Sequence, residues 1–334
     1  MSQMNALCYD RTGAARDVLD MRELPRPDPR AGEVLVRIAV SGANPSDAKS
    51  RAGTRGPAPF ALIVPNSDGA GRIEAVGAGV DPARVGQRVW LWNAAFGRPF
   101  GTAAEFIALP QEQAVALPDA AGYAAGACLG IPALTAHRCL FADGPIDGQD
   151  ILVTGGAGSV GAYALQMAKL AGARRVIATT SGGKKAEHAG AMGADAVVNY
   201  QTEDTAAAIL AATDGRGVDR IIEVEFGANL EVSRQVLKQN GVIASYGSMG
   251  NPEPVLPFYP MMFAAQTLRT VLVYILPPAA RAQGIADLTG WLETSALKHP
   301  IDTRVPFPKG WAAHEACETN TRIGAALIDV AEDV

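Results

Sequence analysis

Cysteine is scarce and scattered: Cys8, Cys128, Cys139 and Cys317 are the only four in 334 residues. None forms a CxxC pair, so the spacing fits neither a disulfide framework nor a zinc knuckle, and a reduced, cytoplasmic protein is expected. The four histidines, His137, His188, His299 and His314, show no metal-ligand spacing. Charge is also sparse, at 19% of residues, and 29 basic against 34 acidic side chains leave a net −5. Without a block of Lys or Arg, the chain is a poor candidate for a general nucleic-acid binder. Long apolar runs are missing too. Residues 151–168 and 120–136 are uncharged, but Gly155, Gly156, Gly158 and Gly161 interrupt the first. Gly122, Gly126, Gly130 and Pro132 interrupt the second. Both read as buried elements of a soluble protein rather than membrane spans. The first eleven residues lack the basic-then-apolar order of a secretory signal.

The chain does have a globular hydrophobic content of 48%, with 36 glycines and 22 prolines. Its length implies about two domains. Residues 34–40, 69–77 and 85–92 are β-branched runs punctuated by glycine turns, the texture of a barrel-like fold. From residue 150 the texture changes to alternation. Strands are expected at 151–154, 175–180, 196–198, 218–224 and 242–246. Helices are expected at 160–171, 184–192, 205–212 and 230–237. This is the βαβ pattern of a doubly wound parallel sheet, with 270–275 as its last strand. The tail, 280–334, has mixed character and ends on an apolar strand at 325–330.

The most informative segment is Thr154-Gly155-Gly156-Ala157-Gly158-Ser159-Val160-Gly161, in which Gly156, Gly158 and Gly161 fit GxGxxG. It follows an apolar strand and opens a helix, the context in which the motif binds a dinucleotide. Gly156 would make the tight turn, Gly158 would admit the pyrophosphate, and Gly161 would let helix and strand pack. The helix N-terminus would then face the phosphates. An NAD site usually adds an acid at the end of the second strand to hold the ribose 2′-hydroxyl. Here that strand runs into Thr180-Ser181-Gly182-Gly183-Lys184-Lys185, with no carboxylate before Glu187. A hydroxyl, two glycines and two lysines suit a 2′-phosphate, hence NADPH. The alternative is that the lysines only solvate a helix start.

Four further segments carry a resemblance. Ser41-Gly42-Ala43-Asn44-Pro45-Ser46-Asp47, Asp68-Gly69-Ala70-Gly71 with Glu74-Ala75-Val76-Gly77, Gly130-Ile131-Pro132-Ala133-Leu134-Thr135-Ala136, and Gly193-Ala194-Asp195 through Asn199-Tyr200 occur in order along the chain. Together they resemble the zinc-free quinone oxidoreductases, the zeta-crystallin-like branch of the medium-chain dehydrogenase/reductase family. The resemblance implies an α/β protein, a GroES-like β-barrel catalytic domain (1–124 and 266–334) with a Rossmann NADPH-binding domain (125–265) between its halves. It implies that Asn44, Asp47 and Thr135 line the nicotinamide end, while Gly158, Ser159, Val160 and Gly161 face the pyrophosphate. Ser181, Lys185 and Tyr200 would surround the 2′-phosphate, and Tyr246, Gly247 and Ser248 would close over the ribose. Bland roles exist for several: Asn44 as a turn cap, Thr135 bonded to its own helix, Tyr200 as core.

Zinc relatives place Cys and His where Asn44 and Ser67 stand, and carry a four-Cys lobe; here no cysteine lies between Cys8 and Cys128. No metal is therefore expected. Hydride transfer to a quinone-like acceptor needs none, and no essential acid or base is assigned. The alternatives are reduction of an α,β-unsaturated carbonyl, or an RNA-binding or structural role as among zeta-crystallin relatives. A small-molecule quinone or enone is the expected partner, with no membrane, and the resemblance adds a homodimer. Three departures from the pattern stand out. Lys49 replaces a common tyrosine, and Pro65-Asn66-Ser67 replaces the usual proline-glycine turn. Glu223-Val224-Glu225 is acidic for a strand end, its carboxylates either an acid/base pair or, more simply, turn-exposed or salt-bridged. Phe226, Tyr246, Tyr259 and Tyr274 are candidates for a substrate slot or for core.

Overall fold

The computed structural model describes residues 2–319 and 321–331. Two compact units share the chain: residues 1–131 with 285–334 form the first, and residues 132–284 the second. The changeovers fall later than the expected 124/125 and 265/266. The reason at the second is that the strand at 267–270 still pairs inside the parallel sheet.

The first unit is built on β1 (Gln3–Cys8), β2 (Asp20–Pro25), β3 (Glu33–Ala43), β4 (Asp68–Val76), β5 (Arg88–Leu91), β6 (Phe106–Pro110) and β7 (Ala114–Ala116). The second unit holds β8 (Asp150–Val153), β9 (Arg175–Thr180), β10 (Ala196–Asn199), β11 (Val218–Glu223), β12 (Leu237–Ser245) and β13 (Thr267–Thr270). The chain then returns to the first unit with β14 (Ile301–Pro306) and β15 (Ala325–Asp329).

In the first unit, β1 and β2 form an antiparallel pair, and the main sheet runs β14-β15-β3-β4-β5-β7, with β6 also on β3. The eleven-residue β3 is nearly all buried because it pairs with β15, β4 and β6. Its Val34, Val36 and Ile38 fill a core with Ile73, Val89, Leu91, Ile107 and Leu109. Strand pairing of this kind suits β-branched residues that pack on a pleated surface.

In the second unit every strand pair is parallel, in the order β10-β9-β8-β11-β12-β13. This is the doubly wound order, with its reversal between β8 and β11. The strand β8 is buried along its whole length, as a parallel strand covered on both faces must be. Two readings of the sequence need correction here. The last strand is β13 at Thr267–Thr270, not 270–275, and Val273–Ile275 is a 3-10 turn. The tail also contains a sixteen-residue helix, Pro278–Glu293, that the pattern hid. Among the described residues, no helix is long and apolar enough to cross a membrane.

Candidate cofactor and substrate site

The glycine loop lies where β8 ends, beside the reversal of strand order. There the crevice outside the carboxyl ends of the strands is the ligand site of this fold. The helix Ser159–Leu170 begins with Gly158 as N-cap, and no side-chain hydrogen bond covers that cap. A Cβ on Gly158 would meet no atom closer than 3.4 Å, so the glycine leaves an open cradle above its backbone. Gly161 is the opposite case: a Cβ there would lie 2.4 Å from the Gly155 carbonyl oxygen, so the helix packs directly on the turn. The left-handed turn residue is Gly155, at φ +65°, rather than Gly156. Gly156 instead permits close packing, since its Cβ would come within 2.8 Å of Ala178 on β9. Gly156 and Gly161 are buried, while Gly158, Ser159 and Val160 are half-buried at the loop's rim. An open glycine cradle at the N-terminus of a twelve-residue helix fits a dinucleotide pyrophosphate.

At the end of β9 the chain turns through Gly182 (φ +82°) and Gly183 (φ +54°) into the helix Lys184–Ala191. The Gly182 N–H donates to Thr180 Oγ1 at 3.2 Å. Ser181 and Lys185 are half-buried, and Lys184 is exposed. Tyr200, at the end of β10, is 52% exposed and so is not core. Its N–H bonds the Thr180 carbonyl at 3.1 Å, which places it beside the same turn. The structure thus gathers Ser181, Lys184, Lys185 and Tyr200 at neighbouring strand ends of the sheet. No carboxylate lies on the 181–185 turn.

On the other side of the reversal, Glu223 and Glu225 take different environments. Glu223 is fully buried; its Oε1 accepts from Thr154 Oγ1 (2.8 Å), the Glu225 N–H (2.6 Å) and Asn229 Nδ2 (2.9 Å), and its Oε2 from Ser233 Oγ (3.2 Å). Burial pushes this carboxyl above its ordinary range, although each of those donors opposes the shift. Glu225 is half-buried, at the N-cap of the helix Phe226–Val236, and accepts from the amides of Met249 and Gly250. Among the described residues, the two side chains therefore serve neutral donors in place of an acid/base pair or ion pairs. Ser248 is also engaged: its Oγ donates to the Asn251 carbonyl (2.6 Å) and accepts from the Gly227 N–H (2.8 Å). Tyr246 and Gly247 are half-buried beside it, and burial pushes the Tyr246 hydroxyl well above its ordinary pKa. Phe226 belongs to the core with Leu230 and Val236, whereas Tyr259 is 65% exposed and stacks on Phe263.

In the first unit, Asn44 caps the helix Pro45–Ala52 through a capping box with Asp47. The Asn44 N–H donates to Asp47 Oδ2 at 2.9 Å, and Asn44 Nδ2 donates to Asp68 Oδ2 at 2.9 Å. The turn-capping role of Asn44 is thus present, together with a second bond. Burial pushes the Asp47 carboxyl up to about 7 against the donors around it. Burial also drives Asp68 well above the carboxylate range, with the Asp47 charge adding to it. Asp68 Oδ2 takes a further bond from the Ile131 N–H at 3.0 Å, and its buried Oδ1 has no hydrogen-bond partner among the described residues. The sequence reading passed over Asp68, which lies inside a quoted motif; a carboxylate amid Gly and Ala on a buried strand was the available signal. Asn66 replaces glycine because its position demands φ +76°, which Asn tolerates better than most residues. Its amide then donates to Ser41 Oγ (2.9 Å), and its Oδ1 accepts from His314 Nε2 (2.9 Å). Ser67 is buried next to it. Thr135 belongs to the second unit, buried in the helix Leu134–Phe141 just after a π-turn at Leu129–Ala133. Among the described residues, no group of three or more His, Cys, Asp and Glu is arranged to hold a metal ion.

The chain is similar to known proteins along most of its length. Residues 30–119 match the alcohol dehydrogenase GroES-like domain, and residues 159–288 match the zinc-binding dehydrogenase family. Rat quinone oxidoreductase is 30% identical over 290 residues, spanning 86% of each chain. A chloroplastic quinone-oxidoreductase homolog of spinach is 28% identical over 316 residues, 92% of each chain. A mycobacterial protein solved in complex with NADPH superposes with a TM-score of 0.86 at 27% identity, covering 98% of this chain and all of that one. The first unit is accordingly GroES-like and the second Rossmann-type. With an open glycine cradle at the switch point, both family matches in order and the rat protein matched across most of its length, this chain belongs to the quinone oxidoreductase branch of the medium-chain dehydrogenase/reductase family of oxidoreductases.

Proposed function

We propose that this protein is an NADPH-dependent, zinc-independent oxidoreductase that delivers hydride to a quinone-like acceptor. The observation that carries the cofactor choice is the β9 end: a hydroxyl at Ser181 and lysines at 184 and 185 stand where an NAD site would offer a carboxylate. The NADPH in the mycobacterial structure supports the same choice. The quinone acceptor is supported by the names of the rat and spinach relatives.

In this reading the loop amides from Gly156 to Gly161 hold the pyrophosphate, and Ser181, Lys185 and Tyr200 hold the adenosine 2′-phosphate end. Tyr246, Gly247 and Ser248 border the ribose, while Asn44, Asp47 and Thr135 border the nicotinamide. Bound NADPH supplies the hydride, and the protein supplies orientation and exclusion of water. Asp47, pushed up to about 7, keeps its proton below neutrality, and Asn44 fixes that carboxyl through its N–H. Asn44 and Ser67 stand in place of the Cys and His ligands of zinc relatives, and Asn44 is already bonded to two aspartates. Quinones accept hydride without a Lewis acid, so the reaction needs no metal.

Assembly as a homodimer and residence in the cytoplasm complete the reading. The strand β13 ends the parallel sheet, and Phe258, Tyr259, Phe263, Leu272 and Ile275 are exposed around it, an apolar surface suited to a second copy. All four cysteines are free and buried, as a reducing compartment allows.

The test is NADPH and NADH oxidation measured side by side with quinones, enals and enones. Turnover of quinones with NADPH is expected. Turnover of enones alone would move the acceptor class, and a preference for NADH would refute the cofactor assignment.

A further inference from the structure

The strand β11 ends on Glu223, whose four donors lock it beneath the surface. Two residues on, Glu225 holds the loop that follows β12. Its Oε1 accepts from the Gly250 N–H at 2.8 Å and its Oε2 from the Met249 N–H at 3.0 Å. The neighbouring backbone continues the grip: the Phe226 N–H bonds the Gly247 carbonyl at 2.9 Å, and the Gly227 N–H bonds Ser248 Oγ at 2.8 Å. Contact is so close that a Cβ on residue 227 would lie 2.0 Å from the Asn251 carbonyl oxygen. The loop is otherwise open to solvent, with Met249 and Gly250 exposed. An ionised carboxylate bridging two successive amides makes charge-assisted bonds, about twice as strong as neutral ones. Without it, the bonds that remain to the loop among the described residues are those at residues 246, 247 and 248.

We infer that Glu225 is a positioning residue for the dinucleotide: its carboxylate sets the conformation of residues 246–251, and through Tyr246, Gly247 and Ser248 it sets the affinity for the ribose and nicotinamide half of the cofactor. This rests on the NADPH reading above. It also gives the second acidic residue of the Glu223–Glu225 pair a role separate from proton transfer.

The distinguishing comparison uses two ligands. NADPH spans the whole site, while adenosine 2′,5′-bisphosphate reaches only the adenine end near Ser181 and Lys185. Glu225→Gln keeps the size but replaces the charge with an amide that turns a donor toward one N–H. It is expected to raise the NADPH dissociation constant about tenfold, the worth of one charge-assisted bond. The bisphosphate affinity and kcat should stay within about twofold of the parent. Hydrogen–deuterium exchange of a peptide covering residues 246–251 should quicken in the same variant. Glu225→Asp, which retains the charge on a shorter arm, should fall between parent and Gln in both measurements. Equal loss of both ligands with a lowered melting temperature would make Glu225 a general structural residue and overturn the inference. Unchanged NADPH affinity, or unchanged exchange of the loop, would overturn it as well. Failure of the parent itself to bind NADPH would instead overturn the cofactor reading and this inference with it.

Discussion

Replacing Asp47 by Asn tests whether a buried carboxyl is held protonated next to the proposed nicotinamide end. Asp47 is 8% exposed, and burial raises its carboxyl from 3.8 to about 7. A carboxyl raised on folding contributes its stability fully below the unfolded value of 3.8, and that stability is lost as pH rises toward and through 7. At 1.36 kcal/mol per pH unit the full loss is about 4 kcal/mol by pH 8. Asn has the same shape and keeps an oxygen to accept the Asn44 N–H, yet stays neutral at every pH. The stability difference between variant and parent should therefore grow in favour of the variant from pH 4 to pH 8. All four tryptophans, Trp90, Trp92, Trp291 and Trp311, lie in the unit that contains Asp47. Urea unfolding followed by tryptophan fluorescence at pH 4.5, 6 and 8 thus reads the relevant unit. Parallel stability-versus-pH curves for parent and variant would refute the reasoning, because they would mean that Asp47 ionises alike in the folded and unfolded chain.

His314 in the same unit supplies an opposite pH dependence: burial, with the Arg51 charge, lowers it from 6.5 to about 3. Its contribution is present above 6.5 and lost as pH falls toward 3, so His314→Asn should lessen acid destabilisation between pH 6 and 4 in the same unfolding assay. Lys185→Ala should narrow the preference for NADPH over NADH by about 1–2 kcal/mol, read by fluorescence titration of both cofactors; equal affinities in the parent would contradict the phosphate assignment. Prolonged chelation should leave melting temperature and quinone reduction unchanged, and stoichiometric zinc whose removal abolishes activity would disprove metal independence.

The second unit was the more legible part of the sequence. Parallel strands buried on both faces leave short apolar runs, and the runs at 175–180 and 205–212 coincide with β9 and the helix Thr205–Ala212. What failed there failed through glycine and proline. The helix Pro278–Glu293 begins on proline and contains Gly284 and Gly290, residues that weaken a helical pattern. In the structure Gly284 marks a close approach, since a Cβ would stand 3.0 Å from Leu134 and 3.2 Å from His137. Likewise the GxGxxG spacing gave the tight turn to Gly156, whereas the left-handed residue is Gly155, a matter of one dihedral angle that spacing does not encode. In the candidate site, the family resemblance pointed to Asn44 and Asp47, but the bond from Asn44 to Asp68 joins residues 24 apart in the chain. Glu225 was opaque for the same reason: its partners, Met249 and Gly250, are backbone amides and leave no side-chain pattern.

The split layout of the first unit bears on how the chain is made. The strand β15 sits between β14 and β3, and its register sets Ala326 against Ala43 and Asp329 against Val40. During vectorial synthesis β3 emerges early and must wait until residues 44–324 have been made before that neighbour is available. The second unit is continuous in sequence and can close in the interval, as domains generally fold as units during synthesis. Until β15 arrives, the Val40–Ala43 end of β3 leaves one edge unpaired, the kind of surface that recruits chaperones or other strands. A ribosome stalled before residue 325 would therefore carry a finished nucleotide unit beside an unfinished sheet, and holdase binding to such nascent chains should end once β15 clears the exit tunnel.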